Sequence, residues 1–507
     1  MALPCRLAAP MRTLRNGEAV ARTDIPIVSM DAFRQAILSA CSANARLAGL
    51  TILPGLSPGR ILLAVLADDV SNRLGLLGAA VPPDNRYPAL TSDLPQAQGF
   101  EREILEDHAI FPEGHPWAKA LRRHAELEAS SDAPMGADPY GFFQVQGPGI
   151  HEVAVGPVHA GIIEPGHFRF QCHGETVLHL EIQLGYQRRD AEALFLRSLP
   201  ARRLVIAETL AGDTSIGHAM AYAMNMEALA GAKSPPQADV LRGIALELER
   251  LANHVGDLGA LCNDVGYLPG ASWFGRLRGE FLNLTLEICG SRFGRGLVIP
   301  GGVRFDLPTA GRTTFLARLQ AAKTDLHHIA DVVFQTPAVV SRFEDTGVVT
   351  TALAETLGLV GVAARASGCA RDVRHDHPAG IFLGTSIELA AASSGGVMAR
   401  AQIRRCEAEQ SIALVRDWVE ALTEAPRTVA LADARPEELA VALVEGWRGE
   451  ILHLAATDDQ GRLCAYKVAD ASFHNWLGLA MAMRGGQISD FPLCNKSFNL
   501  SYAGHDL

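Results

Sequence analysis

One predicted helix carries three side chains that could act together on a proton. Apolar residues recur at three- and four-residue steps from Asp239 to Asn263, a pattern typical of an amphipathic helix. Arg250, His254 and Asp257 share one face of that helix. A histidine beside a carboxylate can gain and lose a proton near neutral pH. The face is either aimed at an interior site or a solvated, ion-paired surface, and the sequence alone favours the solvated surface.

The cysteines form no recognisable metal or disulfide motif. There are nine of them, scattered from Cys5 to Cys494, and no two are spaced as C-x-x-C. Neither a zinc ribbon nor an iron–sulfur cradle is therefore predicted. The residues Met1–Val20 contain arginines but no apolar stretch as long as a signal peptide needs. We therefore expect a reducing, cytoplasmic location.

The composition is that of a globular protein that does not bind nucleic acid. Of its 507 residues 48% are hydrophobic, and 45 Lys and Arg stand against 56 Asp and Glu, a net charge of −11. Nucleic acid and anionic lipid demand clustered positive charge, so neither is expected as the main partner. The longest apolar runs, such as Ile61–Ala67, are far shorter than the roughly 20 residues that cross a bilayer. Any membrane contact is therefore expected through partner subunits.

The pattern of apolar residues predicts an α+β fold that begins with a small α/β domain over residues 1–127. In this domain a helix over Met30–Ala43 precedes an apolar strand over Arg60–Leu66. Residues 128–149 are rich in turn-forming residues and lack apolar periodicity. We therefore predict a linker there.

The second predicted domain, residues 150–507, begins with strands and continues with helices. The stretch Val153–Glu181 alternates between apolar and polar residues and is interrupted by glycines, as in short hairpins. From Arg189 onward the pattern is mainly helical. Beyond the helix over Asp239–Asn263, helices are predicted over Arg312–Val333, Ala399–Leu422 and Pro436–Val444.

Three short motifs stand out in the first domain. They are Tyr87–Thr91, Phe100–Ile104 with Glu-Arg-Glu, and Gly114–Pro116 with Gly-His-Pro. Glu-Arg-Glu alone could be an exposed charged turn, but its spacing to Gly-His-Pro resembles the C-type subunit of NADH:quinone oxidoreductase, respiratory complex I. The resemblance implies that this domain has the α/β fold of the C-type subunit.

Further motifs are spread over the second domain. They are Gly156–Gly161, Gly166–Phe170, Glu247–His254, Asn263–Gly266, Asp372–Arg374, Glu445–Gly449 and the stretch from Pro492 to the end. Together they resemble the D-type subunit of complex I and the large subunit of group 4 nickel-iron hydrogenases, and the fusion of C-like and D-like parts is typical of the formate-hydrogenlyase type. The resemblance implies a mainly helical large-subunit domain with an N-terminal β-region.

The chain departs from the hydrogenases at the four positions where they carry cysteines. Ala211 and Thr214 stand where the first C-x-x-C is expected, and Ser501 and Gly504 where the second is expected. A nickel-iron site needs four thiolates, because soft sulfur ligands hold both metals. We therefore expect no nickel-iron site and no hydrogenase activity.

The resemblance to the quinone-binding relatives is also incomplete. Those relatives carry a tyrosine where this chain has Gly212, so the usual phenol for the quinone headgroup is missing. His159 and His167 lie in the strand region that carries the pocket histidines, and which of them corresponds stays open. Asp264 matches the aspartate that pairs with that histidine, and such a pair could donate protons. Each histidine could instead be a structural residue.

The resemblance implies further roles around the emptied metal pocket. Arg448 matches an arginine that stands over the metals, but it could merely pair with Glu445. Glu208 matches a proton-relay glutamate, but it could also be a carboxylate near a helix N-terminus. The implied catalytic residues are His159, His167, Asp264, His218, Arg448 and Glu208; those implied to bind an acceptor are Thr214, Ser501, Tyr502 and His505, with no metal ligand among them.

Three functions remain open. The first is a redox subunit of a membrane-associated complex I-like oxidoreductase, which passes electrons from an adjacent small iron–sulfur subunit to a quinone or similar acceptor, coupled to ion translocation. The second is a non-catalytic scaffold, and the third is a large subunit with a different metal. No cofactor is assigned to this chain itself; a quinone could bind it, and an iron–sulfur cluster is expected in the partner subunit. Membrane antiporter-like and anchor subunits are the expected partners, and the cytoplasmic face of the cell membrane is the expected location.

Overall fold

The computed structural model describes residue 7 and residues 10–56, 59–123, 140–160 and 163–507. Helices and strands are mixed along the chain, which confirms the predicted α+β class.

A five-stranded sheet with one helix forms the first part of the chain. The helix α1 (Met30–Ser42) begins at Ser29, whose hydroxyl accepts the amide of Ala32 at 3.3 Å, and it buries Phe33 and Ile37. The predicted helix Met30–Ala43 and strand Arg60–Leu66 are confirmed. The strands are β1 (Arg12–Leu14), β2 (Ala19–Ala21), β3 (Ile27–Val28), β4 (Arg46–Pro54), β5 (Arg60–Asp68) and β6 (Arg73–Ala80); the sheet order is β1-β6-β5-β4, β3 pairs with β6, and β2 belongs to another sheet.

The Glu-Arg-Glu motif lies inside the protein and does not form an exposed turn. It belongs to α2 (Gln98–His108), which connects the parallel strands β7 (Arg86–Pro88) and β8 (Phe111–Glu113). The Glu101 carboxyl group accepts the amide of Leu90 at 2.7 Å. Glu103 is buried against Lys467, 2.5 Å away. The motif therefore joins segments that are far apart in the chain.

A three-stranded antiparallel sheet follows, as predicted for Val153–Glu181. Its strands are β9 (Ile150–Val155), β10 (His167–His173) and β11 (Thr176–Gln183), with β10 in the centre.

A helical body occupies most of the chain from residue 191 to residue 420. Its longest helix begins with a proline in its first turn and buries an apolar stripe that includes Leu241, Ile244 and Leu248. The predicted helices over Asp239–Asn263, Arg312–Val333 and Ala399–Leu422 are confirmed. The elements are α3 (Ala191–Arg197), α4 (Pro200–Glu208), α5 (Ser215–Ala230), α6 (Pro236–Asp264), α7 (Leu268–Cys289), β12 (Val298–Ile299), β13 (Gly302–Val303), α8 (Thr309–Gln335), α9 (Pro337–Phe343), α10 (Thr351–Leu357), α11 (Gly361–Ala366), α12 (Val373–Asp376) and α13 (Val397–Glu420).

The predicted helix over Pro436–Val444 is wrong. This segment is β14 (Glu438–Glu445), which pairs with β15 (Glu450–Thr457), and β15 pairs with β16 (Leu463–Ala469). Leu439, Val441 and Leu443 pack into one hydrophobic cluster, while the residues between them pack into another. Because both faces of β14 are buried, the strand has no polar–apolar alternation that the sequence could reveal.

Strand β2 pairs with β14, so residues near the start of the chain complete the sheet near its end. Of the predicted linker, residues 128–139 lie outside the described residues, and residues 140–149 contain neither helix nor strand. The division into domains at residues 127 and 150 therefore stays a prediction.

The chain ends in three short helices. They are α14 (Ala471–Ala482), α15 (Phe491–Phe498) and α16 (Tyr502–Asp506). None of the helices in the described part of the chain is both long and apolar enough to cross a membrane.

Candidate functional site

Arg448 connects the segment that precedes α5 to the segment that precedes α16. It lies in the turn between β14 and β15, where its Nη1 and Nη2 each donate to the Asp213 carboxylate at 2.7 Å. Nη1 also lies 3.2 Å from the hydroxyl of Thr214, and Nε donates to the carbonyl of Asn499. The guanidinium stacks on Trp447, 3.9 Å from the ring centroid. The predicted alternative, a pair between Arg448 and Glu445, is not formed.

The ion pair with Arg448 controls the charge on Asp213. Burial alone would raise the pKa of this carboxyl group, but the adjacent guanidinium and its two hydrogen bonds hold the pKa below its usual range. Asp213 is therefore an anion at neutral pH and neutralises Arg448.

His218 pairs with an aspartate that sequence reasoning did not identify. Its Nε2 lies 3.2 Å from Oδ2 of Asp470, and its Nδ1 lies 3.0 Å from Nε2 of His453. Although burial would raise the pKa of Asp470, the hydrogen bond and charge of His218 and the charge of Arg448 hold it well below its usual range. Asp213, Thr214, His218, Arg448 and Asp470 form what we call the polar centre.

Ser501 and Tyr502 form the start of α16. The Ser501 hydroxyl accepts the amide of Gly504 at 2.9 Å, and its own amide donates to the Ser472 hydroxyl at 2.8 Å. The Tyr502 ring packs against Trp476 at a centroid distance of 4.8 Å, and burial raises the pKa of its phenol to about 12. Ser501 therefore caps its own helix, and the Tyr502 ring is fixed by its packing.

His505 lies in the same helix but contacts Asp506 and Phe473. Its Nδ1 lies 2.9 Å from the Asp506 carboxylate, and its ring stacks on Phe473 at 5.6 Å. Burial lowers the pKa of His505, an effect that Asp506 only partly offsets. Within the described residues, no hydrogen bond joins His505 to the polar centre.

The residues present do not fit a four-thiolate metal site. The four positions carry Ala211, Thr214, Ser501 and Gly504, and no described group of three or more His, Cys, Asp or Glu side chains could hold a metal ion. A Cβ atom at position 504 would lie 2.9 Å from Oδ1 of Asp470. The Asp470 carboxylate therefore occupies space that a cysteine at that position needs.

The structure does not bring His159 or His167 to Asp264. His159 Nε2 bonds the carbonyl of Gly166 at 2.8 Å, and His167 Nδ1 bonds the carbonyl of Gly156 at 3.0 Å. Asp264 ends α6, where burial raises the pKa of its carboxyl group and the charge of Lys496 lowers it in part. The predicted histidine–aspartate pair is therefore not formed in the described part of the chain.

The loop before β10 instead lies against the C-terminal segment. The Glu164 carboxylate accepts the amide of Tyr502 at 3.3 Å, and a Cβ at Gly166 would lie 2.6 Å from the Tyr502 ring. His159 is thus close to Tyr502 in the fold, with Phe168 between them.

Glu208 is buried at the end of α4, where its carboxyl group accepts the amide of Gly296. Burial raises the pKa of the Glu208 carboxyl group, and the hydrogen bond from Gly296 offsets this rise only in part. Among the residues that the structure describes, its carboxyl group makes no hydrogen bond to the polar centre.

The interpretation of Arg250, His254 and Asp257 as a solvated face is wrong. All three are buried, and His254 lies 2.7 Å from the Glu407 carboxylate. Asp257 pairs with Arg404 at 2.7 Å. The partners come from α13, which packs along α6, so their approach could not be read from α6 alone.

This buried network reaches the polar centre. Asp257 accepts a hydrogen bond of 2.6 Å from the side chain of Asn499, whose carbonyl binds Arg448. Asp213, Asp470 and His453 are the residues of this region that sequence reasoning missed. The only sequence signal for Asp470 was its place before a helix, where it accepts the amide of Ser472 at 2.8 Å.

Comparison with known proteins gives consistent relatives. The family described as "Respiratory-chain NADH dehydrogenase, 49 Kd subunit" matches residues 264–435. The carbon monoxide-induced hydrogenase of Rhodospirillum rubrum is 31% identical over 351 residues, which cover 69% of this chain and 97% of that protein. Formate hydrogenlyase subunit 5 of Escherichia coli (strain K12) is 28% identical over 439 residues, covering 83% of this chain and 77% of that protein.

A solved structure has the same fold. One chain of the membrane-bound sulfane sulfur reductase, an archaeal respiratory membrane complex, superimposes with a TM-score of 0.65 at 22% identity. The match covers 70% of this chain and 98% of that chain.

Proposed function

Because the chain belongs to the superfamily of group 4 hydrogenase large subunits and D-type subunits of complex I, we propose that it is a redox subunit without a nickel-iron site. It receives electrons from an adjacent small iron–sulfur subunit and passes them, with protons, to a quinone or similar organic acceptor. The complex couples this transfer to ion translocation through membrane antiporter-like subunits. The chain itself lies peripherally on the cytoplasmic face, held by anchor subunits.

The residues at the four lost cysteine positions support the absence of nickel. None of them offers a thiolate, and at position 504 the Asp470 carboxylate occupies the space of a side chain. Hydrogen activation at such a site is not expected.

The polar centre is the observation that carries the redox proposal. It places a histidine–carboxylate pair 3.2 Å apart, and the charge of Arg448 acts on the same carboxylate. Reducing a quinone consumes protons as well as electrons, and a buried His–Asp pair can supply them. The planar fork of Arg448 suits a carbonyl oxygen or an anionic product.

The internal hydrogen bonding of the same residues favours the scaffold as a second candidate. Arg448 already donates to Asp213, Thr214 and Asn499, and it is 7% exposed. An acceptor would use the remaining N–H of Nη2 or displace Asp213. In a scaffold no such displacement is needed, because the ion pair simply fills the former metal pocket.

Metal analysis and turnover measured on one sample test the proposal. The purified assembly is analysed for nickel, iron and zinc per copy of this chain, and hydrogen uptake and quinone reduction are assayed. We expect no nickel, iron accounted for by partner clusters, and quinone reduction. Nickel together with hydrogen uptake would overturn the proposal.

Two variants separate the redox subunit from the scaffold. Arg448→Lys removes the fork beside the polar centre, and we expect quinone reduction to fall about tenfold or more while the complex still assembles. Arg242→Lys is the matched control, because Arg242 is also buried and pairs through its fork with Glu227, but it has no hydrogen bond to the polar centre. No turnover with any acceptor, or equal turnover in both variants, would favour the scaffold.

A further inference from the structure

A series of hydrogen-bonded side chains, which we call the proton chain, runs from the polar centre into the protein. From Asp470 it passes to His218 at 3.2 Å, then to His453 at 3.0 Å. His453 Nδ1 in turn lies 2.8 Å from the hydroxyl of Tyr466. All four residues are at most 5% exposed. Of the four, Tyr466 is the most exposed, at 5%.

The fold fixes the inner half of this chain through strand pairing. His453 lies on β15 and Tyr466 on β16, where Tyr466 is opposite Ala455, two residues from His453. Residues two apart in a strand share one face, so the two side chains are diagonal neighbours. His218 reaches them from α5, which packs on β15.

The contacts dictate where the hydrogens lie when both imidazoles are neutral. The Asp470 carboxylate only accepts, so His218 must donate from Nε2 and accept at Nδ1. His453 must then donate from Nε2 and accept at Nδ1, where the Tyr466 hydroxyl is the donor. Every donor therefore points toward Asp470.

We infer that this proton chain takes up one proton by a coupled tautomer change and holds it on His218, paired with the Asp470 carboxylate. The Tyr466 hydroxyl proton passes to His453 Nδ1, and the proton on His453 Nε2 passes to His218 Nδ1. A hydronium ion of the solvent supplies the proton that replaces the one lost by Tyr466 and is left as water. The result is a His218 imidazolium beside the Asp470 carboxylate.

The environment keeps charge off the inner members of the chain. Burial and the charge of His218 hold the pKa of His453 well below its usual range. Burial raises the pKa of the Tyr466 phenol well above its usual range. The added charge therefore rests on His218, facing Asp470. The other titratable or charged groups around the chain are Glu192, Arg203 and Tyr222 near Tyr466, and Asp213 and Arg448 near Asp470.

His453 and Tyr466 act on Asp470 only through His218, which His453 contacts at 3.0 Å, so both are positioning residues. The use of the stored proton rests on the proposed reduction of an organic acceptor. The uptake of the proton does not rest on that function, because the tautomer change is a property of the polypeptide itself. It can be measured without electrons or an acceptor.

Nitrogen NMR on the full chain labelled with 15N-histidine tests the inference. Substitutions His218→Gln and His453→Gln assign the two signals. We expect that, as the pH is lowered, His218 becomes doubly protonated and His453 moves its hydrogen from Nε2 to Nδ1 in one transition. A His453 that keeps its tautomer, or two separate transitions, would overturn the inference.

Tyr466→Phe removes the acceptor that His453 Nδ1–H needs in the protonated state. We expect the coupled transition to move to lower pH by about one unit, or about tenfold weaker proton binding, because a buried donor is left without a partner. Tyr222→Phe is the control, because Tyr222 is a neighbouring buried phenol with no hydrogen bond to the proton chain among the described residues. This variant should leave the transition at the same pH.

The two proposals can fail separately. A coupled transition in a complex that reduces no acceptor would leave the proton chain standing and remove the redox function. If Tyr466→Phe unfolds, the wild-type tautomer measurement still decides, because it needs no substitution at that position. An unchanged transition in a folded Tyr466→Phe variant would contradict the role of the phenol.

Discussion

Gly504 and Asp470 compete for the same space, and replacing the glycine with alanine tests this directly. An ideal Cβ at position 504 lies 2.8 Å from Cγ and 2.9 Å from Oδ1 of Asp470. Real Cβ atoms do not approach other atoms so closely, so Asp470 must move. Its movement disturbs the 3.2 Å contact to His218 and the 2.8 Å hydrogen bond from Ser472 that begins α14.

The expected cost of Gly504→Ala follows from these two effects. Overpacking a dense interior costs about 1–3 kcal/mol, and loss of a helix N-cap costs about 1 kcal/mol. We therefore expect the free energy of unfolding to fall by about 2–4 kcal/mol. Chemical denaturation of the purified chain measures it. Gly275→Ala is the matched control, because Gly275 lies within α7 with nothing within 4 Å of its Cβ position, and alanine there should stabilise the chain slightly.

A double-mutant cycle shows whether Asp470 is the cause. Asp470→Ala removes the atoms that Cβ would meet, so in that background Gly504→Ala should cost little. The interaction energy between the two changes should therefore be about 1–3 kcal/mol. Equal costs of Gly504→Ala in both backgrounds, or no cost in the wild type, would refute the steric argument. The same argument would then no longer count against a cysteine at position 504.

Three further changes test other parts of the structure. Burial lowers the pKa of His474 to about 4 from an unfolded value near 6.5, so the folded state loses stability as the pH falls from 6.5 to 4. Denaturation at pH 7 and at pH 4 measures this loss, and His474→Leu should reduce it by about 3 kcal/mol. An equal loss in both proteins would contradict the argument. Asn16→Ala removes hydrogen bonds of 2.7 and 2.9 Å to the backbone of Leu443. The Leu443 amide should then exchange its hydrogen faster, and the free energy of unfolding should fall by about 2–4 kcal/mol. Unchanged protection of that amide would show that β14 does not depend on Asn16. Trp447→Phe removes the indole N–H that donates to the carbonyl of Asp213 at 3.1 Å but keeps an aromatic ring under the Arg448 guanidinium. The free energy of unfolding should therefore fall by about 1 kcal/mol. A fall above about 3 kcal/mol would mean that the indole has a larger role.

The sequence predicted the long helices from the spacing of their apolar residues. In α6, α8 and α13 apolar side chains recur at three- and four-residue steps, although α6 has no exposed face over residues 241–262. Strand β14 was mistaken for a helix because its two faces pack into two different hydrophobic clusters. A short apolar run without alternation fits a buried strand and a buried helix equally well. Only the pairing with β2 and β15 distinguishes the two, and that pairing joins distant parts of the chain.

The polar centre was predictable only in part for the same reason. Thr214, His218 and Arg448 were found through a resemblance, because motif spacing survives when the chemistry of a site changes. Asp470 was not found, since its contact with His218 spans 252 residues and its local sequence signals no more than a helix cap. The buried face with His254 was also misjudged, because a charged side chain can be buried only with a partner, and the partners lie on α13.

Charge balance explains why these particular residues lie together in the polar centre. A buried charge is tolerated only when an opposite charge neutralises it, because the interior does not solvate ions as water does. Arg448 and any protonated His218 are the cations of the polar centre. Asp213 faces the first at 2.7 Å and Asp470 the second at 3.2 Å. Because each cation has its own carboxylate, the polar centre can hold one more proton on His218 without creating an unpaired buried charge.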